Sequence, residues 1–579
     1  ATTEIYTLSL HDALPISMYG QNVTFTVVNG AAVFADPNGG IVTTDKDGIA
    51  SVNLASDQAV NSLIKAETNG SSQSVEVSFI TGDISQLTST IKTDDVSYTA
   101  GGKIKVSVTL MDEQKNLVKG MASLLAGSSV VEVSGTDKNE TGNWSEESDG
   151  VYTSTRTAKI AGDRHYATLK LSTWSSAQQS DAYAIRESGA VLAYSSIVTD
   201  KTAYTAGGAI KVTVTLKDSY ENLVGGQRDA INQAIQLPNT KAESIAWNED
   251  QKGIYTATYT ALLPGTGLKA QLQMSGWASA LTSNDYSISG DAASAQIVAM
   301  QVTTGNPDVL ANGSDRHTVN VRVEDQFGNV LPEQTVTFTV TKGAAVFANA
   351  GQSADIRTDA HGMAEVDLSS TVADASTVEA KINQSSDSKT VNFIADVSTA
   401  QVAELVVTQD GSVADGSTAN MLRVRVTDVF GNVLAGQTVS VLADNGATVA
   451  PTVITEPDGT VEISVTSQTA GTSAVTASIN NSSQSRNVTF IADVSTAQIA
   501  DLVVTRDNSV ADGAMANTLR VRVTDAFGNA LNGQTVSVLA DNGATVTPTV
   551  TTEPDGTVEI SITSQTAGVS AVTATINSS

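Results

Sequence analysis

Apolar and polar residues alternate in short runs along most of this chain. Leu422, Val424 and Val426 fall on one side of such a run, and Arg423, Arg425 and Thr427 on the other. Ile104, Val106, Val108 and Leu110 repeat the pattern, as do Ile210, Val212, Val214 and Leu216, and later Val461, Ile463 and Val465. A period of two belongs to strands with one buried and one wet face, so the runs predict antiparallel sheets. Between them stand Phe430-Gly431-Asn432, Asp444-Asn445-Gly446 and Pro457-Asp458-Gly459, which supply positive or preset φ at turns. No amphipathic helix of useful length is evident. Several short strands per unit predict two packed β layers.

Self-similarity sets the unit. The residues from Phe393 to Gln401 recur from Phe490 to Gln498, and the segment from Arg423 returns from Arg520, each 97 residues on. An earlier relative starts at His317, and a partial one at Gln21. A second repeat type lies between, where the segment from Ser97 returns from Ala203, 106 residues on. All four Trp residues, Trp144, Trp174, Trp247 and Trp277, sit in this second type at matching places. They are expected in the cores, with sugar stacking as the functional alternative. A period of about 100 residues suits one β-sandwich per repeat.

Residues 1–16 break the composition of all that follows and read as the in-frame translation of a sequencing-library adapter. Residues 1–17 are therefore set aside as non-native, and His11 and Asp12 receive no role. Residues 18–82 then form a partial unit of the first type, and 83–190 and 191–290 two units of the second. Residues 291–395, 396–492 and 493–579 form three more of the first, the last expected to lack the closing strand that its predecessor carries at Gln484–Phe490. Only Asp396–Thr399 joins one unit to the next strand, which limits hinge freedom and predicts a semi-rigid array.

The charge adds one exclusion. With 61 acidic and 32 basic residues the net charge is -29, which opposes binding to nucleic acid or anionic lipid. There is no Cys, so disulfides, thiolate metal sites and Cys nucleophiles are excluded. No apolar run is long enough for a membrane-spanning helix, and no secretory signal is visible.

Candidate chemistry is thin. His165, His317 and His361 lie in different repeats without a partner at metal spacing, and are read as surface or turn residues. No nucleophile-elbow motif surrounds any Ser. Asp45-Lys46-Asp47-Gly48 resembles the start of a calcium loop, but its twelfth position is Ser56 rather than Glu. Its counterpart at Asp359-Ala360-His361-Gly362 keeps only the turn. Calcium at the joins, through Asp396 or Asp493, is left open. No catalytic, cofactor or metal residue is assigned, and the ligand-binding residues are unknown.

Asp428, Phe430, Gly431 and Asn432, followed by Thr455-Glu456-Pro457-Asp458-Gly459-Thr460, resemble the bacterial Ig-like domain group 1 of the intimin/invasin adhesins. Asp325, Phe327, Gly328 and Asn329 repeat the pattern, as do Asp525, Phe527, Gly528 and Asn529. The units from Ser97 and Ala203 resemble the third extracellular domain type of invasin. The resemblance covers residues 18–579. It implies an all-β tandem array of immunoglobulin-like antiparallel β-sandwich domains, forming a non-catalytic stalk with no cofactor and no nucleic-acid partner. In that family an outer-membrane β-barrel anchors the array at the bacterial surface. A distal domain, often disulfide-stabilised, meets the host-cell receptor. Neither barrel nor Cys is in this sequence, so anchor and contact with host receptor or neighbouring bacterium are expected in missing regions. The alternative is a set of Ig-like spacer or glycan-binding modules in a secreted or surface carbohydrate-active enzyme.

Overall fold

A computed structural model describes residues 18–348 and 351–576; the adapter-like residues 1–17 lie outside them. The chain divides into two compact units, 1–289 and 290–579. Among the described residues each holds three separate hydrophobic clusters. In chain order these six cores run Val23–Phe79, Ile91–Ile185, Ile197–Ile288, Ala295–Phe393, Ala400–Phe490 and Leu519–Ile562.

The fifth core shows how the alternation closes on itself. Its strands are β1 (Gln401–Gln409), β2 (Ser412–Val413), β3 (Asn420–Thr427), β4 (Thr438–Ala443), β5 (Thr448–Val449), β6 (Thr452–Ile454), β7 (Thr460–Thr466), β8 (Gly471–Ile479) and β9 (Ser482–Ile491). One sheet has the order β1-β3-β7-β5, the other β2-β9-β8-β4-β6. Leu422, Val424 and Val426 point from β3 into the space between the sheets, and Val439, Val441, Val475 and Ala477 meet them from the other sheet. Burying each large aliphatic is worth about 1.5–3 kcal/mol, and the pleat sends intervening polar residues outward. Thr427, expected on the wet face, is instead buried, its hydroxyl donating to the Asp428 carbonyl at 2.9 Å. It ends the strand where the chain turns against the preceding module. The β8–β9 hairpin turns on Asn480, whose φ of 48° suits Asn better than most side chains.

The second and third cores build the same two layers differently. The second has a four-stranded sheet of Thr90–Thr93, Lys103–Thr109, Val151–Thr157 and Ser145–Ser148, opposed by two three-stranded sheets. Trp174 and Trp247 are buried in the second and third cores, and Trp144 and Trp277 pack half-buried against them. Among the described residues helix is confined to short pieces such as Ala122–Leu125 and Arg228–Ala234.

Candidate functional site

An elaborate polar construction recurs at the start of five of the cores. Each begins from an Asp four residues before an Asn: Asp112/Asn116, Asp218/Asn222, Asp325/Asn329, Asp428/Asn432 and Asp525/Asn529. All five carboxylates are buried. Asp428 Oδ1 accepts the N–H groups of Phe430 and Asn432, both at 2.9 Å, which folds the turn. Its Oδ2 accepts Asn432 Nδ2 at 2.8 Å and the N–H of Asp396, the first linker residue, at 3.3 Å. Linker N–H groups of Gly82, Ser188, Asp291 and Asp493 reach Asp112, Asp218, Asp325 and Asp525 in the same way, at 2.9–3.1 Å. A buried carboxylate is tolerable only when its lone pairs are met, and these are. Burial would raise the carboxyls of Asp112, Asp218 and Asp325. The hydrogen bonds they accept outweigh it and hold them below the usual carboxylate range.

At Asn116, Asn222, Asn432 and Asn529 the amide held by that carboxylate faces the preceding module. Asn432 Nδ2 donates to the Thr371 carbonyl at 3.0 Å, and its Oδ1 accepts the Ala373 N–H at 2.8 Å. Asn529 makes the same pair with Gln468 (2.9 Å) and Ala470 (2.7 Å). Asn222 pairs with Lys159 (2.7 Å) and Ala161 (2.8 Å), and Asn116 with Asp57 and Ala59, both at 2.9 Å. Every partner is backbone, from residues two apart, and the second is Ala each time. In three loops a Ser fixes the shape by donating to a carbonyl two residues on: Ser56 to Gln58, Ser370 to Val372 and Ser467 to Thr469. Because the socket is backbone, one clasp serves both repeat types.

The linker is equally ordered. Asp396 caps a short 3-10 turn, Val397–Thr399, accepting the N–H and hydroxyl of Ser398 at 2.9 and 2.6 Å. Asp493 does the same for Ser495 at 3.0 and 2.6 Å. The hydroxyl and N–H of Ser495 lower the Asp493 pKa. These carboxylates, left open above for calcium, thus serve as helix caps. Asp45 Oδ1 likewise accepts the N–H groups of Asp47 (3.0 Å) and Ile49 (2.9 Å), and Asp359 those of His361 (2.8 Å) and Met363 (2.9 Å), as hairpin turns do. Among the described residues no three His, Cys, Asp or Glu side chains gather as metal ligands would.

The histidine reading needs correction. His361 is in its turn, but His165 and His317 are buried strand residues. His317 Nε2 lies 2.9 Å from the Asn392 carbonyl, with its ring edge-on to Phe393. Neither is near another ligand-type cluster. Sequence reasoning missed the clasp because it treated Asp428 and Asn432 as parts of a turn. The available signal was that Asp and Asn keep their spacing across two repeat types whose turns otherwise differ.

A model of the bacterial Ig-like domain (group 1) matches residues 1–80, 299–394, 402–491 and 499–579, together more than half of the chain. Over 353 residues, 60% of the chain, it is 34% identical to the inverse autotransporter adhesin YeeJ of Escherichia coli (strain K12); the match spans 15% of that protein's length. Among solved structures, the Escherichia coli adhesin FdeC aligns over 54% of this chain and 99% of its own, at 19% identity and a TM-score of 0.34. Invasin, a bacterial integrin-binding protein, aligns over 66% and 76%, at 18% identity and a TM-score of 0.32. With the sequence match falling on the repeats whose strands and turns are described above, the chain belongs to the bacterial Ig-like domain (group 1) family.

Proposed function

We propose that this chain is a non-catalytic stalk segment of an outer-membrane-anchored surface adhesin, in which the modules act as spacers and, within each compact unit, the clasps set the angle between neighbours. The observation that carries the reading is the repeated Asn clasp. A chain of independent domains needs no buried carboxylate and paired amide at its joins, whereas a spacer that must hold direction does. The 34% identity to an inverse autotransporter adhesin agrees with it. On this reading the anchor is a β-barrel, contact with a host receptor or neighbouring cell belongs to a distal domain, and both lie elsewhere in the protein. The net charge of -29 favours solubility and keeps nucleic acid away.

Small-angle scattering tests the proposal. An elongated particle is expected, with a shorter maximum dimension when Asn432 and Asn529 are both replaced by Ala. A compact particle would rule the stalk out.

A further inference from the structure

Four cores share a feature that the clasps do not use. In each, a short strand early in the module pairs in parallel with the strand that ends it. In the fifth core β2 lies beside β9, with Ser412 opposite Phe490 and Val413 opposite Ile491. The Ala414 N–H extends the pair by donating to the Ile491 carbonyl at 2.8 Å. Asp308–Leu310 lies likewise beside Ser385–Ile394 in the fourth core. Ala203–Thr205 lies beside Tyr286–Ser289 in the third, and Ser97–Thr99 beside Tyr183–Arg186 in the second. Every other strand pair among the described residues is antiparallel.

Parallel pairing has a mechanical consequence. The chain enters the early strand at one end of the ladder and leaves the last strand at the opposite end. Tension between the two ends slides the strands past each other and loads every bond between them together. An antiparallel hairpin pulled at its ends opens one bond at a time. β1 is also dragged along its axis, but its ladder to β3 is interrupted by bulges at Val402/Glu404 and Val407/Gln409. Side chains reinforce the parallel pair. Tyr98 stands edge-on to Tyr183 at 5.5 Å, and Tyr204 to Tyr286 at 5.9 Å, so sliding must break these contacts too.

We propose that the parallel pair of early and final strands is a shear latch, and that it makes these four modules load-bearing elements rather than spacers alone. The stalk reading supplies only the source of the tension. The first and last cores are internal controls. In the last, Val510 stands where Val413 stands in the fifth, is 64% exposed, and belongs to no strand. In the first, Ser71–Ser78 is an edge strand with no parallel neighbour among the described residues.

Stretching single full-length chains between their ends tests the latch. Four high-force events are expected, each releasing roughly 25–35 nm of chain, with the first and last cores yielding at lower force. Ala414→Pro removes the donor to Ile491 and should cut the high-force events from four to three. Equal forces for all six cores, or four undiminished events in Ala414→Pro, would overturn the latch. If that variant's fifth core fails to fold, the contrast among wild-type cores still decides. Uniformly weak modules would end the latch and leave the stalk standing; a compact particle in scattering would do the reverse.

Discussion

The second and third cores are the same sandwich with different interiors. Val151–Thr157 and Ile254–Thr260 occupy equivalent places, each paired along its length with the strand carrying three buried aliphatics. Tyr152 and Tyr255 are both fully buried, and their hydroxyls donate to the Val118 and Val224 carbonyls at 2.7 and 2.9 Å. Four residues on, the two part. The third core has Tyr259, edge-on to Trp247 at 6.5 Å. The second has Arg156, only 1% exposed, its guanidinium 6.0 Å from the centre of the Trp144 ring. Nη1 donates to Ser154 Oγ at 2.9 Å and Nη2 to the Thr141 carbonyl. Burial pushes the Arg156 pKa down, with Glu140 opposing. The neighbours change in step: Ser154 answers to Ala257, and Gly142 to Ile245, which packs against the third core. One scaffold thus tolerates a buried cation where local hydrogen bonds and a π face receive it, or an aromatic where they are absent.

The strongest way to break this comparison is to mix the two solutions. A side chain at Gly142 would put its Cβ 1.1 Å from Arg156 Nη1, at a φ of +69°. Gly142→Ile alone should destabilise the second core by about 3 kcal/mol or more. Combining it with Ser154→Ala and Arg156→Tyr transplants the whole third-core set. The clash then disappears and most of the lost stability should return, but the triple variant should stay about 1 kcal/mol or more below wild type, because an Ile at a φ of +69° remains strained. All four Trp residues lie in these two modules, so denaturant unfolding followed by Trp fluorescence reads them alone. A triple variant as weak as the single one would show that the two interiors are not interchangeable.

Next in size is the link between them. Asn222 holds Lys159 and Ala161 of the second module from within the third. Asn222→Ala removes both bonds and strands the Asp218 carboxylate's partner site, a loss of about 1–3 kcal/mol. The two Trp-reported transitions should separate further. Coincident midpoints unchanged from wild type would mean that the clasp does not couple the modules.

How far the sequence shows all this depends on what each feature needs. Alternation needs only side-chain polarity, so Leu422, Val424 and Val426 declare their sheet and the all-β class follows. Arg156 is hidden by the same rule. Polarity says outward, yet it sits in phase with Tyr152, and only the cross-strand partner Ile104 reveals an inward face. Thr427 is misjudged because strand ends answer to the join rather than to the pleat. The clasp escapes because its far side is backbone, which carries no residue signature.

Acid should separate the two cores next. His165 in the second stands where Leu268 stands in the third, opposite Tyr183 and Tyr286 respectively. The imidazole Nδ1 lies 2.9 Å from Ser134 Oγ, and the ring stacks on Tyr183. Around it, Asp137 is paired with Lys159 and Asp163 with Arg186. Burial pushes the His165 pKa below its ordinary 6.5, opposed only in part by the Ile160 carbonyl. The unfolded chain therefore binds this proton more readily than the folded one. Stability is unaffected well above pH 6.5 and falls as the pH drops below it, until the folded ring also protonates. Between pH 7 and 5 the second core's midpoint should fall relative to the third's, and His165→Leu should remove the difference. Parallel loss in that variant would assign the acid sensitivity to other groups.

The smallest effect concerns what the two cores share. Lys115 and Glu221 sit in their clasp turns at φ of 68° and 65°, where Gly431 sits in the fifth. An L side chain is strained in that region by about 1 kcal/mol, and glycine is not. Lys115→Gly and Glu221→Gly should each stabilise their own core, by about 0.5–1 kcal/mol after the added freedom of the unfolded chain is subtracted. Glu221 also lies 3.6 Å from Lys217, an exposed pair that contributes little. The two gains should therefore be nearly equal, even though the interiors above these turns differ. Gains confined to one core would mean that the buried cation or its tyrosine counterpart reaches the clasp, and that interior and seam are not independent.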